Sequence, residues 1–364
     1  MSEQDDILIT RMGHAGHLTL NRPRAINALT HPMVKRMQSA LDTWVDDESV
    51  QTIVLTGSGD RGLCAGGDIV TLYRDAQSGD GTASAHFWAD EYRMNAGIKR
   101  YPKPYVALMD GVVLGGGVGV SAHGSHRIVT ERSKIGMPET GIGFIPDVGG
   151  TWLLAHAPGE LGTYLALTAV TVGASDAIAL GLADTFVRSE RIPELLGLLA
   201  TLSADDAIAA VSEPAPESEL MADRDWIDAA FAGDSVPAIL ERLAVLARPV
   251  PRGAAQETLD RVTSKSPMAL AVTLESLRRA ARLESLEAAV QQEYRVSLRA
   301  FSAPDFAEGV RAQVIDKDRS PRWNPATSAD VDPAAVAAYF DPLGDAELRI
   351  LAHQTASHAA PTPS

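Results

Sequence analysis

A chain of 364 residues is long enough to bury a sizeable core, and its 45% apolar content is that of an ordinary soluble globular protein. A net charge of −15 argues against nucleic-acid binding, which draws on Lys and Arg against phosphates, although a local basic patch still serves a small anionic ligand. The single cysteine, Cys64, excludes an intrachain disulfide, and the acidic start MSEQDD has neither the apolar stretch of a secretory leader nor the character of a mitochondrial one, so a cytoplasmic setting is expected.

Residues 7–21 alternate around a Gly-rich turn, which predicts a β-hairpin. Thr30 is placed to cap a helix with Pro32 in its first turn and Met33, Met37, Leu41 and Trp44 on one face. The β-branched run Thr52–Thr56 predicts a buried strand, and 57–67 a turn-rich loop ending in Cys64-Ala65-Gly66-Gly67-Asp68. Helices are expected from near Asp68 and from about Ala83 to Arg100, then a strand over Tyr105–Met109. The apolar stretch Tyr105–Ala122 carries Asp110 and five glycines, so it reads as strand plus turn and not as a membrane span. A short helix over 117–124 and strands near 126–130 and 134–137 continue an alternation that suggests βαβ winding. Helices are expected over 151–157, 161–168 and 174–180, with a last core strand over 183–187. Beyond Arg188 the Leu/Ala-rich runs 192–209 and 225–247 read as helices, separated by the linker Glu213-Pro214-Ala215-Pro216. Pro249 and Pro251 mark a further break before helices at about 254–264, 267–281 and 285–301. After Thr327 one short helix is expected, and 354–364 is expected to be disordered.

The stretch that concentrates chemistry runs from Pro104 to Gly150. Gly115-Gly116-Gly117 lets the backbone pass close to a ligand, and a helix starting there leaves N–H groups free for an anionic oxygen. Two carboxylates follow, Glu139 in Pro-Glu-Thr-Gly and Asp147 in Pro-Asp-Val-Gly-Gly. An oxyanion-binding turn with two carboxylates downstream is what acyl transfer needs. Each feature also has a plainer reading: a tight turn for the glycines, a carboxylate satisfied by backbone for Glu139, and a helix N-cap for Asp147. Asp68 reads as a helix cap and Cys64 as a buried apolar residue. Ser121, His123 and His126 lack the G-x-S-x-G frame of a serine triad. Nothing has metal-ligand spacing, and the glycines do not make G-x-G-x-x-G, so no metal or dinucleotide cofactor is expected.

These residues resemble the crotonase superfamily, which holds acyl-CoA thioesters in a two-amide oxyanion hole. The text MPETGIGFIPDVGGTWLLAHAPGELGTYLALTA resembles the 3-hydroxyisobutyryl-CoA hydrolase branch, and the likeness runs from about Ile7 to Pro325, weaker from Ser189 to Pro251. The resemblance implies an α/β fold, a crotonase-like ββα spiral core over 1–188. It also implies a helical insert over 189–251, a helical C-terminal region over 252–340 completing the CoA site, and a partly disordered tail over 341–364. It implies oxyanion donors at Gly67 and Gly116, and Glu139 as acid, base or nucleophile. Asp147 stands where many hydratases of the superfamily have glycine and the hydrolase branch has aspartate. Hydratases carry a further glutamate three residues after the middle glycine; here that residue is Gly119. Glu91 resembles a pocket glutamate of the hydrolase branch. Arg22, Arg24, Ala28, Lys317 and Arg322 are candidates for holding coenzyme A, which is part of the substrate and not a cofactor. The implied activity is cleavage of a short β-hydroxyacyl-CoA, 3-hydroxyisobutyryl-CoA of valine breakdown foremost, by an enzyme without nucleic-acid or membrane partners and with a homo-oligomer in view. The alternatives are an enoyl-CoA hydratase or isomerase using Glu139 alone, and a non-catalytic acyl-CoA-binding scaffold.

Overall fold

The computed structural model describes residues 5–248 and 253–350. Strands β1 (Ile7–Met12) and β2 (Ala15–Leu20) form the expected hairpin. β3 (Thr52–Gly57), β4 (Tyr105–Met109), β6 (His126–Val129) and β9 (Thr185–Phe186) extend it in parallel, in the order β1-β2-β3-β4-β6-β9. A second sheet joins β5 (Val112–Leu114), β7 (Lys134–Gly136) and β8 (Thr171–Val172) in that order. Strand pairs alternating with helices make the expected mixed α/β spiral. Neither β5 nor β8 stands out in the sequence, because each is only two or three residues long and depends on its partner for pairing.

The central strands are buried on both faces, as parallel sheets with covered sides must be. In β4, Tyr105, Ala107 and Met109 face the main core, while Val106 and Leu108 face a second apolar cluster. That second cluster is completed by Leu195, Leu199, Ala207 and Ile208, so the stretch just after Arg188 covers one face of the sheet. Its helical run is broken into Ile192–Leu199 and Ala204–Ala209, the latter capped by Ser203 accepting from the Asp206 N–H. The run over 225–247 breaks likewise at Gly233, in the left-handed region, and Ser235 caps the helix Val236–Ala247. Hydrophobic content alone hides such stops; the capping hydroxyls and the glycine carry them. The expected short helix is Pro333–Ala338. The chain after it is packed as far as it is described: Leu348 is buried and Glu347 pairs with Arg295. The disorder expected for 354–364 lies outside the described residues.

Three C-terminal helices fix the site from outside the spiral: Pro267–Ala280, Leu286–Ser302 and Pro304–Val310. The last presses its backbone onto the turn Glu139–Ile142, and this close approach needs glycines. A side-chain carbon at Gly309 would lie 2.4 Å from the Ile142 carbonyl carbon, and one at Gly143 would lie 2.3 Å from the Asp305 oxygen. Gly309→Ala is therefore predicted to push this helix off the Glu139 turn. Overpacking of this kind costs about 1–3 kcal/mol, which thermal melting should show as a drop of several degrees. An unchanged melting temperature would mean that the contact is loose.

Candidate active site

The glycine helix Gly116–Ser121 begins where β5 ends, and its N-cap, Gly115, has φ 49°. The loop after β3 runs beside it, with Cys64 bridging Val113 and Gly67 bridging Leu29. The Leu29 N–H goes to the Gly66 oxygen and the Asp68 N–H to the Leu29 oxygen, which leaves the Gly67 N–H out of this ladder. The Gly116 N–H is a helix-start donor that no turn of its own helix can satisfy. Both glycines line one cavity of about 360 Å³. A carbon on Gly116 would lie only 3.3 Å from the Gly67 nitrogen, so the two amides stand as neighbours. Two neighbouring backbone amides on one cavity wall are what an oxyanion hole would require. Asp68 caps the helix Ile69–Ser78 through the Thr71 N–H, as expected.

Glu139, Asp147 and Glu91 line the same cavity, so the sequence-predicted catalytic and acyl-pocket residues converge. Glu139 abuts the glycine turn: a side-chain carbon at Gly115 would lie 2.6 Å from its Oε1. One at Gly116 would lie 2.8 Å from Glu91 Oε1. Among the described residues, buried Glu139 Oε2 and Glu91 Oε1 have no hydrogen-bond partner. Asp147 is not the helix cap its sequence context allows. The helix Gly150–Ala155 has Gly149 at its N-cap with no local side-chain cap, and Asp147 Oδ2 instead accepts from the Tyr92 hydroxyl at 2.7 Å. Tyr92 in turn shares a 2.8 Å bond with Ser297.

Burial raises the pKa of all three carboxyl groups, and repulsion from Asp147 adds to it for Glu139 and Glu91. Glu139 is held well above the ordinary carboxylate range by desolvation and then by the charge of Asp147. Glu91 is raised by the same two causes. Asp147 is raised by desolvation too, but the Tyr92 hydroxyl pulls it back down. Among the described residues, no Lys or Arg lies within ion-pair distance of any of them. Glu139 and Asp147 line one cavity and the charge of Asp147 disfavours ionisation of Glu139, the arrangement that lets a carboxyl pair supply both an acid and a base.

The basic residues selected for coenzyme A do not line this cavity. Arg22 is committed to Asp68 at 2.9 Å and to the Ala28 oxygen at 2.6 Å. Arg24, Lys317 and Arg322 are exposed, and Ala28 is half-buried. The cation that does line the cavity is Lys265, half-buried and with its pKa lowered by desolvation. It stands at a helix junction, Ser264-Lys265-Ser266-Pro267, where only its position in space reveals it. Tyr92 was equally silent beside Glu91. Ser121 bonds the Gly117 oxygen, His123 faces the Val148 oxygen and His126 faces Asp205, so no triad forms. Among the described residues there is no cluster of three metal-ligating side chains.

A ββα spiral with Gly67, Gly116, Glu139 and Asp147 around one cavity defines a fold of the crotonase type. The chain belongs to the enoyl-CoA hydratase/isomerase family, whose model matches residues 15–340. It is 38% identical over 360 residues to the mitochondrial 3-hydroxyisobutyryl-CoA hydrolase of Rattus norvegicus, spanning 96% of this chain and 92% of that protein. Two solved structures are also similar. A carnitinyl-CoA dehydratase from Mycobacterium thermoresistibile superposes with TM-score 0.91 at 50% identity, covering 95% of this chain and 99% of that one. An enoyl-CoA hydratase from Rhodobacter sphaeroides superposes with TM-score 0.88 at 43% identity, covering 95% and 100%.

Tyr92→Phe removes the side-chain donor that lowers Asp147, so the Asp147 limb of the pH–rate profile should move to higher pH. A single hydrogen bond of about 1 kcal/mol corresponds to a shift of just under one pH unit. The direction is the same whether Asp147 acts as acid or as base. A profile that stays in place, or moves to lower pH, would contradict this assignment.

Proposed function

We propose that the chain hydrolyses a short β-hydroxyacyl-CoA thioester, with 3-hydroxyisobutyryl-CoA as the first substrate to test and valine breakdown as its setting. The observation that carries this reading is the pairing of Asp147 with Glu139 in the cavity, combined with the closure of position 119. A side-chain carbon at Gly119 would lie 2.3 Å from Asn95 Nδ2 and 2.6 Å from the Val148 Cβ. The second glutamate that the resemblance gives to hydratases has no space there.

In this reading the thioester oxygen sits between the Gly67 and Gly116 amides, where charge develops as the carbonyl becomes tetrahedral. Glu139, against the glycine turn, reaches the acyl carbon, either attacking it directly or drawing a proton from water. The C–S bond breaks, the thiolate takes a proton from the protonated member of the carboxyl pair, and water supplies the hydroxyl of the released acid. Glu91, buried and with an unpartnered oxygen beside Gly116, is placed to bond the substrate hydroxyl. Trp88, Phe144 and Phe306 form an aromatic wall, with Trp88 stacked on Phe144 at 5.5 Å, which suits a compact acyl group. The route needs no cofactor. A reducing, cytoplasmic compartment agrees with the lone buried thiol of Cys64; the rat relative is mitochondrial by name, which describes that protein. Among the described residues no helix is long and apolar enough to cross a membrane.

A second reading, hydration or dehydration of an acyl-CoA, is favoured by the names of the two similar structures. The two readings part in one experiment: free-thiol release from 3-hydroxyisobutyryl-CoA, run beside hydration of crotonyl-CoA. Faster thiol release is expected; faster hydration would give the site to the alternative. Glu139→Gln should keep the fold and CoA binding while lowering kcat by about 100- to 10,000-fold, the usual contribution of a general acid–base group. A variant with near-normal kcat would remove Glu139 from the chemistry.

A further inference from the structure

One buried acid is not used by the mechanism above. Glu293, on the helix Leu286–Ser302, is completely buried, yet no cation neutralises it within the described residues. Its carboxylate reaches across to the Asp147 turn. Oε2 accepts from the Gly149 N–H at 2.6 Å, and Oε1 accepts from the Thr151 N–H at 2.9 Å and the Thr151 hydroxyl at 2.5 Å. Those amides open the helix Gly150–Ala155, which has no cap from its own sequence. Glu293 thus caps from a distant part of the chain the helix that Asp147 was placed to cap locally.

The residue between Asp147 and the cap is under strain. Val148 has φ 53°, a left-handed conformation that is rarely occupied by a β-branched residue. Such a conformation persists only when its surroundings hold it. Here the Val148 oxygen lies 2.8 Å from His123 Nε2 and 3.4 Å from the Asn95 amide, while Glu293 holds the next peptide by the Gly149 N–H. The left-handed step at Val148 turns the chain so that the Asp147 side chain points into the cavity and meets Tyr92 instead of folding onto the helix start.

We propose that Glu293 is a positioning residue: by capping the helix in place of Asp147 and locking the Val148 turn, it frees Asp147 for the carboxyl pair. This rests on the thioesterase reading of the site and adds a group that touches no substrate. Burial pushes Glu293 up to about 8, against the pull of the Thr151 and Gly149 donors. Glutamine cannot reproduce the bonds, because its NH₂ would face an N–H.

The test is a double-mutant cycle on the full chain, reading kcat and KM for thiol release together with melting temperature. Glu293→Gln alone should lower kcat by roughly 10- to 100-fold, the scale of a misplaced reacting group, with KM nearly unchanged. In an Asp147→Asn background it should cost almost nothing further, since the group it positions is already lost. Thr151→Val removes one of the three bonds and should fall between wild type and Glu293→Gln; it carries the same test if Glu293→Gln does not fold. A Glu293→Gln enzyme that melts earlier but turns over normally would overturn the proposal, leaving an ordinary cap. So would an equal loss of kcat in both backgrounds. If Asp147→Asn lowers kcat and Glu293→Gln does not, only this inference falls. If Asp147→Asn itself turns over normally, the reading of the carboxyl pair falls with it.

Discussion

Four carboxyl groups, Glu91, Glu139, Asp147 and Glu293, are buried around the helix starts at Gly116 and Gly150, and among the described residues none forms an ion pair. Burying ionised carboxylates without counter-ions is very costly, so the fold must either keep protons on them or surround them with donors. It does both. Glu293 takes three donors from the Asp147 turn, and Asp147 takes the Tyr92 hydroxyl. Glu139 and Glu91 each keep an oxygen without a partner. The two acids left least satisfied are those that abut the glycine turn, where a polar substrate group would complete them. Because these groups have raised folded-state values, the stability they hold is fully present below the ordinary carboxylate range of about 4. It is lost as pH rises towards the folded values.

The rest of the architecture follows from bringing these acids against two free amides. The Gly115–Gly116 turn passes where side chains on either glycine would collide with Glu139 and Glu91. The spiral alone does not complete the site. Helix Pro304–Val310 locks onto the Glu139 turn through Gly309, and helix Leu286–Ser302 sends Glu293 to the Asp147 turn. Phe306 and Lys265 close the cavity from the same region. The C-terminal helices therefore complete the cavity that the spiral begins.

What the sequence revealed was local. Gly67, Gly116, Glu139 and Asp147 stand in the short motifs that carry the family resemblance, and they meet in one cavity. The ββα alternation was legible because β2, β3, β4 and β6 carry apolar periodicity of their own; β5 and β8 exist only by pairing and were silent. Tyr92 and Glu293 were silent for another reason. A tyrosine and a glutamate on helices look solvated or apolar until the tertiary fold places them against Asp147. The basic residues named for coenzyme A stand outside this cavity, with Arg22 bonded to Asp68, whereas Lys265, unremarked at a helix junction, lines it.

The central claim, that the carboxyl pair holds a proton at neutral pH because burial forbids two charges, can be measured by infrared difference titration of the substrate-free enzyme. The account predicts a carboxylic-acid carbonyl band that persists well above the ordinary glutamate value of about 4.3 and is diminished in Glu139→Gln. If every carboxyl group of the protein were ionised before neutral pH, with no band that depends on Glu139, the pair would not share a proton and the account would be wrong.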